Sequence, residues 1–227
     1  MPQDTKPIAS TPDNIDGPRR APKNGGAPQQ LVVFLHGFGS NGNDLIQLAP
    51  FLRDSLPDAA FVAPNAPYPN DMLGGGRQWF SFRADNLENI DEEVAETYGD
   101  FDRFLDQEID RTGIGADKVA LVGFSQGGIT ALQTALRRPE PLGAVAGLST
   151  VLPNAGTLGA EIASRPPVLL MHGTLDAVVP VGYFHQATET LESHGVPVTA
   201  HALDGRGHEI DPEGAAYLRD FLVRALT

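Results

Sequence analysis

Short apolar runs alternate with amphipathic stretches along most of the chain, beginning at Leu31. The runs have strand length and few polar interruptions, as in strands buried on both faces of a parallel sheet. The predicted strands are residues 31–35, 59–63, 119–122, 143–148, 167–171 and 198–203. The predicted helices are residues 44–56, 86–112, 129–136, 184–191 and 212–226. This alternation predicts an α/β fold with a mostly parallel central sheet and helices on both faces.

The first 30 residues have a different composition. They are rich in Pro, Gly, Asn and Asp and nearly free of large apolar side chains. Residues 1–30 are therefore predicted to be a flexible N-terminal segment, with a short edge strand near Ile15 to Arg20. Residues 31–227 show no repeat and no second composition, which predicts a single domain.

The first predicted helix contains a proline. Asp44 is the predicted N-cap, and Pro50 is expected to split or kink the helix because proline lacks an N–H. The predicted inward face comprises Leu45, Leu48, Phe51, Leu52 and Leu56.

Composition and charge exclude several classes of function. The chain has 29 acidic against 16 basic residues and a net charge of −13, which argues against nucleic acid and anionic membranes as partners. It has no cysteine, so disulfides and thiolate metal sites are excluded. Neither a membrane-spanning run nor a secretory signal is visible, and a cytoplasmic protein without stable membrane insertion is predicted. The acidic stretch 85–117 is interpreted as a solvated face, because its spacing does not support a metal site.

One serine lies in a strand–turn–helix context. Lys118 to Gly128 reads KVALVGFSQGG, in which an apolar run ends at Gly123, Ser125 lies between Gly123 and Gly127, and a helical pattern follows. Gly-x-Ser-x-Gly in this context is typical of a tight turn that exposes a nucleophilic serine. The N-terminus of the following helix would stabilise negative charge developing beside Ser125.

Two further polar residues follow later strands. A serine nucleophile needs a base, usually histidine, and a carboxylate that orients this base. Asp176 follows the strand that ends near Met171, and His208 follows the strand that ends near Leu203. The order Ser, Asp, His, each after a strand, fits the α/β-hydrolase arrangement and predicts a triad of Ser125, Asp176 and His208.

Each triad residue also has a structural interpretation: Ser125 and Asp176 as turn residues, and His208 as a loop histidine. Among the six histidines, His36 and His172 compete with His208 because they too lie at strand ends. Each precedes a glycine, which favours a role in tying down its own loop.

The oxyanion of an acyl-transfer reaction needs two backbone N–H donors. Gln126, the residue after the nucleophile, is predicted to supply one, and Phe38 in the loop after the first core strand the other. Gln126→Ala is expected to be mild unless the side chain also positions a loop. Trp79 follows a glycine-rich loop, and its side chain is expected either to line a pocket or to pack in the core.

Several segments together resemble the phospholipase/carboxylesterase family of α/β-hydrolases, which includes acyl-protein thioesterases. They are LVVFLHGFGSNGNDL, FVAPNAP, RQWF, VGFSQGG, MHGTLDAVVP and GHEI. The resemblance implies the α/β-hydrolase fold, the same triad and oxyanion donors, and no metal or organic cofactor. The interval 149–166 is separately too short for a large lid domain. It also implies that Leu73, Trp79, Val178 and Val179 line an acyl pocket.

The predicted function is therefore that of a serine carboxylesterase acting on small to medium acyl esters. An acyl-thioesterase or lysophospholipase is the alternative, because both share the acyl-enzyme route. An inactive ligand-binding hydrolase-fold protein is a third hypothesis, which no residue favours. A small-molecule acyl ester is the expected partner, and the oligomeric state stays open between monomer and homodimer.

Overall fold

The computed structural model describes residues 15–70, 72, 74–81 and 90–227. Its strands are β1 (Arg19–Arg20), β2 (Gln30–Leu35), β3 (Ala59–Val62), β4 (Tyr68–Pro69), β5 (Arg77–Gln78), β6 (Val119–Phe124), β7 (Ala144–Leu148), β8 (Val168–Gly173) and β9 (Val198–Leu203). Its α-helices are α1 (Gly42–Leu45), α2 (Ala49–Leu52), α3 (Ile90–Thr112), α4 (Gln126–Arg137), α5 (Leu158–Glu161), α6 (Gly182–Ser193) and α7 (Pro212–Leu226). The predicted alternation of strands and helices is confirmed, although residues 86–89 of the second predicted helix lie outside the described residues.

The main sheet has the strand order β1-β3-β2-β6-β7-β8-β9. All neighbouring strands are parallel except β1, which pairs antiparallel with β3 through Arg19 opposite Val62. This short strand confirms the edge strand predicted near the start of the chain. Strands β4 and β5 form a separate two-stranded ribbon. Because the core strands are parallel, the loops after β2, β6, β8 and β9 leave the sheet at the same edge.

Both faces of the sheet are covered by helices. In β2, Leu31, Val33 and Leu35 face one apolar layer, which includes residues of α3, α4 and α6. Val32 and Phe34 face the opposite layer, which includes residues of α1, α2 and α7. The alternation follows from the two-residue period of a strand, and burial on both faces explains why the runs lack polar positions.

The region around Pro50 differs from its prediction in two details. The N-cap is Asn41, whose side chain accepts a hydrogen bond from Asn43 N–H, and not Asp44, which lies in the first turn of α1. Pro50 is the second residue of the separate helix α2, where its missing N–H has no helical partner to lose. The 3-10 turn Ile46–Leu48 between the two helices shifts the helical phase, so that Phe51 is 62% exposed and does not face inward.

The connection from β7 to β8 contains only the single helical turn α5, so no large lid domain is inserted there. Within the described ranges, no helix combines the length and the apolar character that a membrane crossing requires.

Candidate active site

Ser125 occupies a strained turn between β6 and α4. Its backbone angles are φ 52° and ψ −119°, a conformation that non-glycine residues rarely adopt. The end of β7 holds the turn in place: Ser125 N–H donates to the Leu148 carbonyl over 2.9 Å, and Thr150 Oγ1 donates to the Ser125 carbonyl over 2.8 Å. A β-carbon added at Gly123 would lie 2.2 Å from the Gly127 carbonyl oxygen. The glycines around the serine are therefore required by close backbone contact.

Asp176 and His208 meet at the end of β8. His208 Nδ1 lies 2.7 Å from Asp176 Oδ2, and the Asp176 side chain is completely buried. The other carboxylate oxygen, Oδ1, accepts hydrogen bonds from the N–H groups of Val178 and Val179, each over 2.8 Å. At Gly173, a β-carbon would lie 2.3 Å from the carbonyl oxygens of Arg206 and Gly207. This glycine therefore allows the loop that carries His208 to approach β8.

The electrostatic environment keeps Asp176 ionised. Burial alone would raise the pKa of this carboxyl group. The hydrogen bonds from Val179 N–H, His208 and Val178 N–H outweigh burial, and the pKa lies below its ordinary value of 3.8. An ionised carboxylate at this position can orient the imidazole of His208 and stabilise its protonated form.

The two competing histidines make structural contacts. His36 Nδ1 lies 2.8 Å from the Gly37 carbonyl, and Nε2 accepts a hydrogen bond from Ala66 N–H over 3.0 Å. His172 Nε2 donates to the Val179 carbonyl over 2.8 Å and lies 3.4 Å from Asp176 Oδ2. Burial lowers the pKa of both residues, that of His36 to about 4. Both rings tie down their loops, as the sequence predicts.

A cleft of about 560 Å³ opens beside the serine turn. Ser125 and His208 both line it, together with Phe38 and Val178. The other lining residues are Gly37, Ser40, Asp44, Leu45, Leu48, Phe124, Glu209 and Ile210. One open surface thus joins the loops after β2, β6, β8 and β9, and most of its wall is apolar.

Two predicted pocket residues lie away from this surface. Trp79 is 2% exposed, and its ring packs edge-on against Phe101, so the structure supports core packing and not pocket lining. Val179 is also buried. Its N–H donates to Asp176 Oδ1, and its carbonyl accepts from His172 Nε2. Leu73 lies outside the described residues. Of the four predicted pocket residues, Val178 lines the cleft.

Sequence reasoning missed part of the cleft wall and one side-chain role. Asp44, Glu209 and Ile210 line the cleft, and their proximity to Phe38 or His208 in the chain was the available signal. Gln126 is fully buried, and its side chain accepts from Trp79 N–H and donates to the Phe80 carbonyl. The side chain therefore holds a loop, which is the exception anticipated for Gln126→Ala.

In the described part of the chain, no group of three or more His, Asp or Glu residues could hold a metal ion.

Curated relatives are similar over most of the chain. Acyl-protein thioesterase 1 of Cryptococcus neoformans is 33% identical over 171 residues, which cover 70% of this chain and 71% of the relative. Carboxylesterase SOBER1 of Arabidopsis thaliana is 31% identical over 210 residues, covering 86% of this chain and 90% of the relative.

Solved structures show the same fold. Esterase PE8 is 41% identical, with a TM-score of 0.90, over 94% of this chain and all of that one. The Bacillus cereus carboxylesterase has a TM-score of 0.77 at 18% identity, over 93% of this chain and 94% of that one, and supports the α/β-hydrolase fold alone. The family model described as phospholipase/carboxylesterase matches residues 21–226. With this match over nearly its whole length, the chain belongs to the phospholipase/carboxylesterase family.

Proposed function

We propose that this protein is a serine carboxylesterase in which Ser125 is the nucleophile, His208 the general base and Asp176 the residue that orients His208. The main support is the meeting of Ser125 and His208 on one cleft, with His208 Nδ1 bonded to the buried Asp176 carboxylate over 2.7 Å. This bond leaves Nε2 of His208 for proton transfer.

The reaction proceeds through an acyl-enzyme. Ser125 Oγ attacks the ester carbonyl carbon as its proton moves to His208 Nε2. The tetrahedral intermediate collapses when the carbon–oxygen bond to the alcohol breaks and His208 returns the proton to this alcohol. A water molecule then attacks the acyl carbon as one of its protons moves to His208 Nε2. The bond between the acyl carbon and Ser125 Oγ breaks, His208 returns the proton to Oγ, and the carboxylic acid leaves.

The negative oxygen of each intermediate is stabilised by the N–H groups of Phe38 and Gln126. Gln126 is the first residue of α4, so its N–H has no acceptor within the helix. Phe38 lines the cleft beside Ser125. Each such donor typically contributes about 100- to 1000-fold in rate.

The cleft favours neutral, apolar esters. Leu45, Leu48 and Phe124 supply apolar wall, and the charged groups on the cleft are Asp44 and Glu209 beside the titratable His208. Neither lysine nor arginine belongs to its described lining. Two carboxylates would repel anionic substrates such as acyl-CoA or a lysophospholipid with net negative charge.

A thioesterase activity is the second candidate. The similarity to acyl-protein thioesterases favours it, and the acyl-enzyme route is the same for thioesters. Comparing kcat/KM for a neutral ester with that for a neutral thioester of the same acyl chain distinguishes the two activities. A cytoplasmic location and the choice between monomer and homodimer stay predictions.

The decisive experiment measures p-nitrophenyl ester hydrolysis by the wild type and by Ser125→Ala. We expect a loss of at least about 10⁴-fold in kcat, as for other serine nucleophiles. The matched control is Ser193→Ala, an exposed serine on α6 outside the cleft, which should keep wild-type activity.

A fluorophosphonate probe reports the nucleophile independently. It should label wild type and Ser193→Ala once, at Ser125 by peptide mass spectrometry, and leave Ser125→Ala unlabelled. Equal hydrolysis by Ser125→Ala and wild type would reject the proposal, and a folded but inactive, unlabelled wild type would support the ligand-binding hypothesis.

A further inference from the structure

The loop after β2 carries two consecutive backbone carbonyls that are each held by a side chain. Trp79 Nε1–H donates to the His36 carbonyl over 2.8 Å, and His36 Nδ1 lies 2.8 Å from the Gly37 carbonyl oxygen. A β-carbon added at Gly37 would lie 3.5 Å from Cβ of Ser125. This part of the loop therefore packs directly against the serine turn, and the direction of its peptide groups affects the site.

The contacts of His36 determine which ring nitrogen carries its hydrogen. Ala66 N–H donates to Nε2 over 3.0 Å, so Nε2 is an acceptor without hydrogen. Nδ1 must then carry the hydrogen that the Gly37 carbonyl accepts. The ring is 0% exposed, and burial lowers its pKa to about 4, although the Gly37 carbonyl and Asp44 oppose this effect. Near neutral pH, His36 is therefore the neutral Nδ1–H tautomer.

Holding the Gly37 carbonyl also directs the N–H of Phe38. The two groups belong to one planar peptide unit, which is trans, as are all peptide bonds of the described chain. In a trans peptide the C=O and N–H bonds point in opposite directions. The Gly37 carbonyl accepts from His36 Nδ1–H and, over a longer 3.2 Å, from Ser40 N–H. Since both donors lie on the carbonyl side of the peptide, the N–H of Phe38 points to the other side.

A hydrogen-bond chain connects this loop to the second proposed oxyanion donor. The Gln126 side chain accepts from Trp79 N–H over 2.9 Å and donates to the Phe80 carbonyl over 2.7 Å. The indole of Trp79 then reaches the His36 carbonyl. Gln126, whose backbone N–H is the second proposed oxyanion donor, is thus linked through Trp79 to the loop that contains Phe38.

We propose that His36 is a positioning residue of the oxyanion hole, which directs Phe38 N–H by holding the Gly37 carbonyl through Nδ1–H while Trp79 holds the preceding carbonyl. This inference rests on the proposed function, because it presumes that Ser125 forms the oxyanion. It assigns to buried side chains outside the triad a role in the chemical step and not only in folding.

Two substitutions separate the two hydrogen bonds of His36. Asparagine places its amide N–H close to where Nδ1 lies, so His36→Asn keeps the donor to Gly37 and loses the acceptor for Ala66. Glutamine reaches the position of Nε2, so His36→Gln keeps the acceptor and loses the donor. If His36 directs Phe38, His36→Gln should lower kcat about 10- to 100-fold with little change in KM, and His36→Asn should lower it less.

Trp79→Phe removes the second hydrogen bond and keeps most of the aromatic packing. Like His36→Gln, this substitution should lower kcat. The affinity for a trifluoromethyl ketone, which forms an oxyanion on the serine, should fall in parallel with kcat/KM in all three variants. Phe104→Leu, a buried change in the same core layer, is the matched control and should lower the melting temperature while leaving kcat unchanged.

The outcomes distinguish this inference from the proposed function. Rates are divided by the fraction of folded protein, determined by circular dichroism at the assay temperature. If Ser125→Ala is inactive but His36→Gln keeps kcat within about twofold of wild type, the positioning role is wrong and the esterase proposal stands. If this correction brings the rates of His36→Asn and His36→Gln back to the wild-type rate, their losses reflect stability alone and His36 is purely structural. If Ser125→Ala remains active, the proposed function itself fails.

Discussion

At the scale of single residues, three strand-end histidines of one chain have different tasks because their ring nitrogens have different partners. His208 Nδ1 faces the carboxylate of Asp176, and this arrangement supports proton transfer. His36 and His172 are buried against backbone carbonyls. Burial lowers the pKa of His36 and of His172 and so favours their neutral rings.

The buried His36 should make stability depend on pH. Its pKa is lowered from 6.5 to about 4, with burial and Arg77 lowering it and Asp44 raising it. On acidification the unfolded chain takes up the proton first, so the contribution to stability is complete above pH 6.5 and is lost as the pH falls toward 4. Relative to about pH 7.5, the loss at about pH 4.5 should be about 2.5 kcal/mol.

Urea denaturation of the wild type and of His36→Gln between these pH values measures this effect. The variant cannot take up a proton at this position, so its free energy of unfolding should fall less on acidification. The lowered pKa of Asp176 acts in a separate window: its contribution is complete above 3.8 and is lost only at lower pH. Parallel curves for the two proteins would contradict a neutral, buried His36.

At the scale of elements, close contact between α4 and the sheet brings the two proposed N–H donors together. A β-carbon at Gly127 would lie 2.1 Å from the Leu35 carbonyl oxygen at the end of β2, and one at Gly128 would lie 2.7 Å from the Thr150 side chain. Any larger residue would push the N-terminus of α4 away from the loop after β2. The small residues therefore determine the distance between Gln126 and Phe38.

Gly127→Ala should lower both the free energy of unfolding and the esterase activity. The added methyl group meets backbone and cannot be accommodated by a rotamer change, so we expect a loss of about 3 kcal/mol in the free energy of unfolding. The matched control is Gly182→Ala at the start of α6, where no atom lies within 4 Å of the added carbon. Chemical denaturation should show no loss for the control, and equal stability of the two variants would contradict the close-contact explanation.

At the scale of the whole molecule, charge acts on substrate choice. The net charge is −13, and the cleft adds Asp44 and Glu209 near the site. The net charge of the protein and the two carboxylates of the cleft therefore both repel anions. At 0.1 M ionic strength the Debye length is about 10 Å, so repulsion between exposed charges farther apart than this is largely screened.

The wild type should prefer p-nitrophenyl butyrate over p-nitrophenyl succinate, which carries a free carboxylate. Neutralising the cleft acids in Asp44→Asn/Glu209→Gln should raise kcat/KM for the anionic ester by about 5- to 10-fold relative to the neutral one, as two screened charges imply. The control Glu189→Gln/Glu192→Gln removes the same charge from α6 outside the cleft. If both double variants raise the ratio of kcat/KM for the anionic ester to that for the neutral ester equally, the net charge sets this preference and the cleft acids have no special effect on it.

The sequence by itself determined the order of the core strands and helices along the chain, because strands buried on both faces must be continuously apolar. It also indicated Ser125, Asp176 and His208, since parallel strands bring the loops that follow them to one edge. The tertiary structure decided that Asn41 caps α1, that Phe51 faces outward and that Trp79 is buried. It also decided the hydrogen bonds of His36, because their partners Ala66 and Trp79 come from loops distant in the chain. Such contacts depend on how separate elements pack, and neither periodicity nor spacing encodes them.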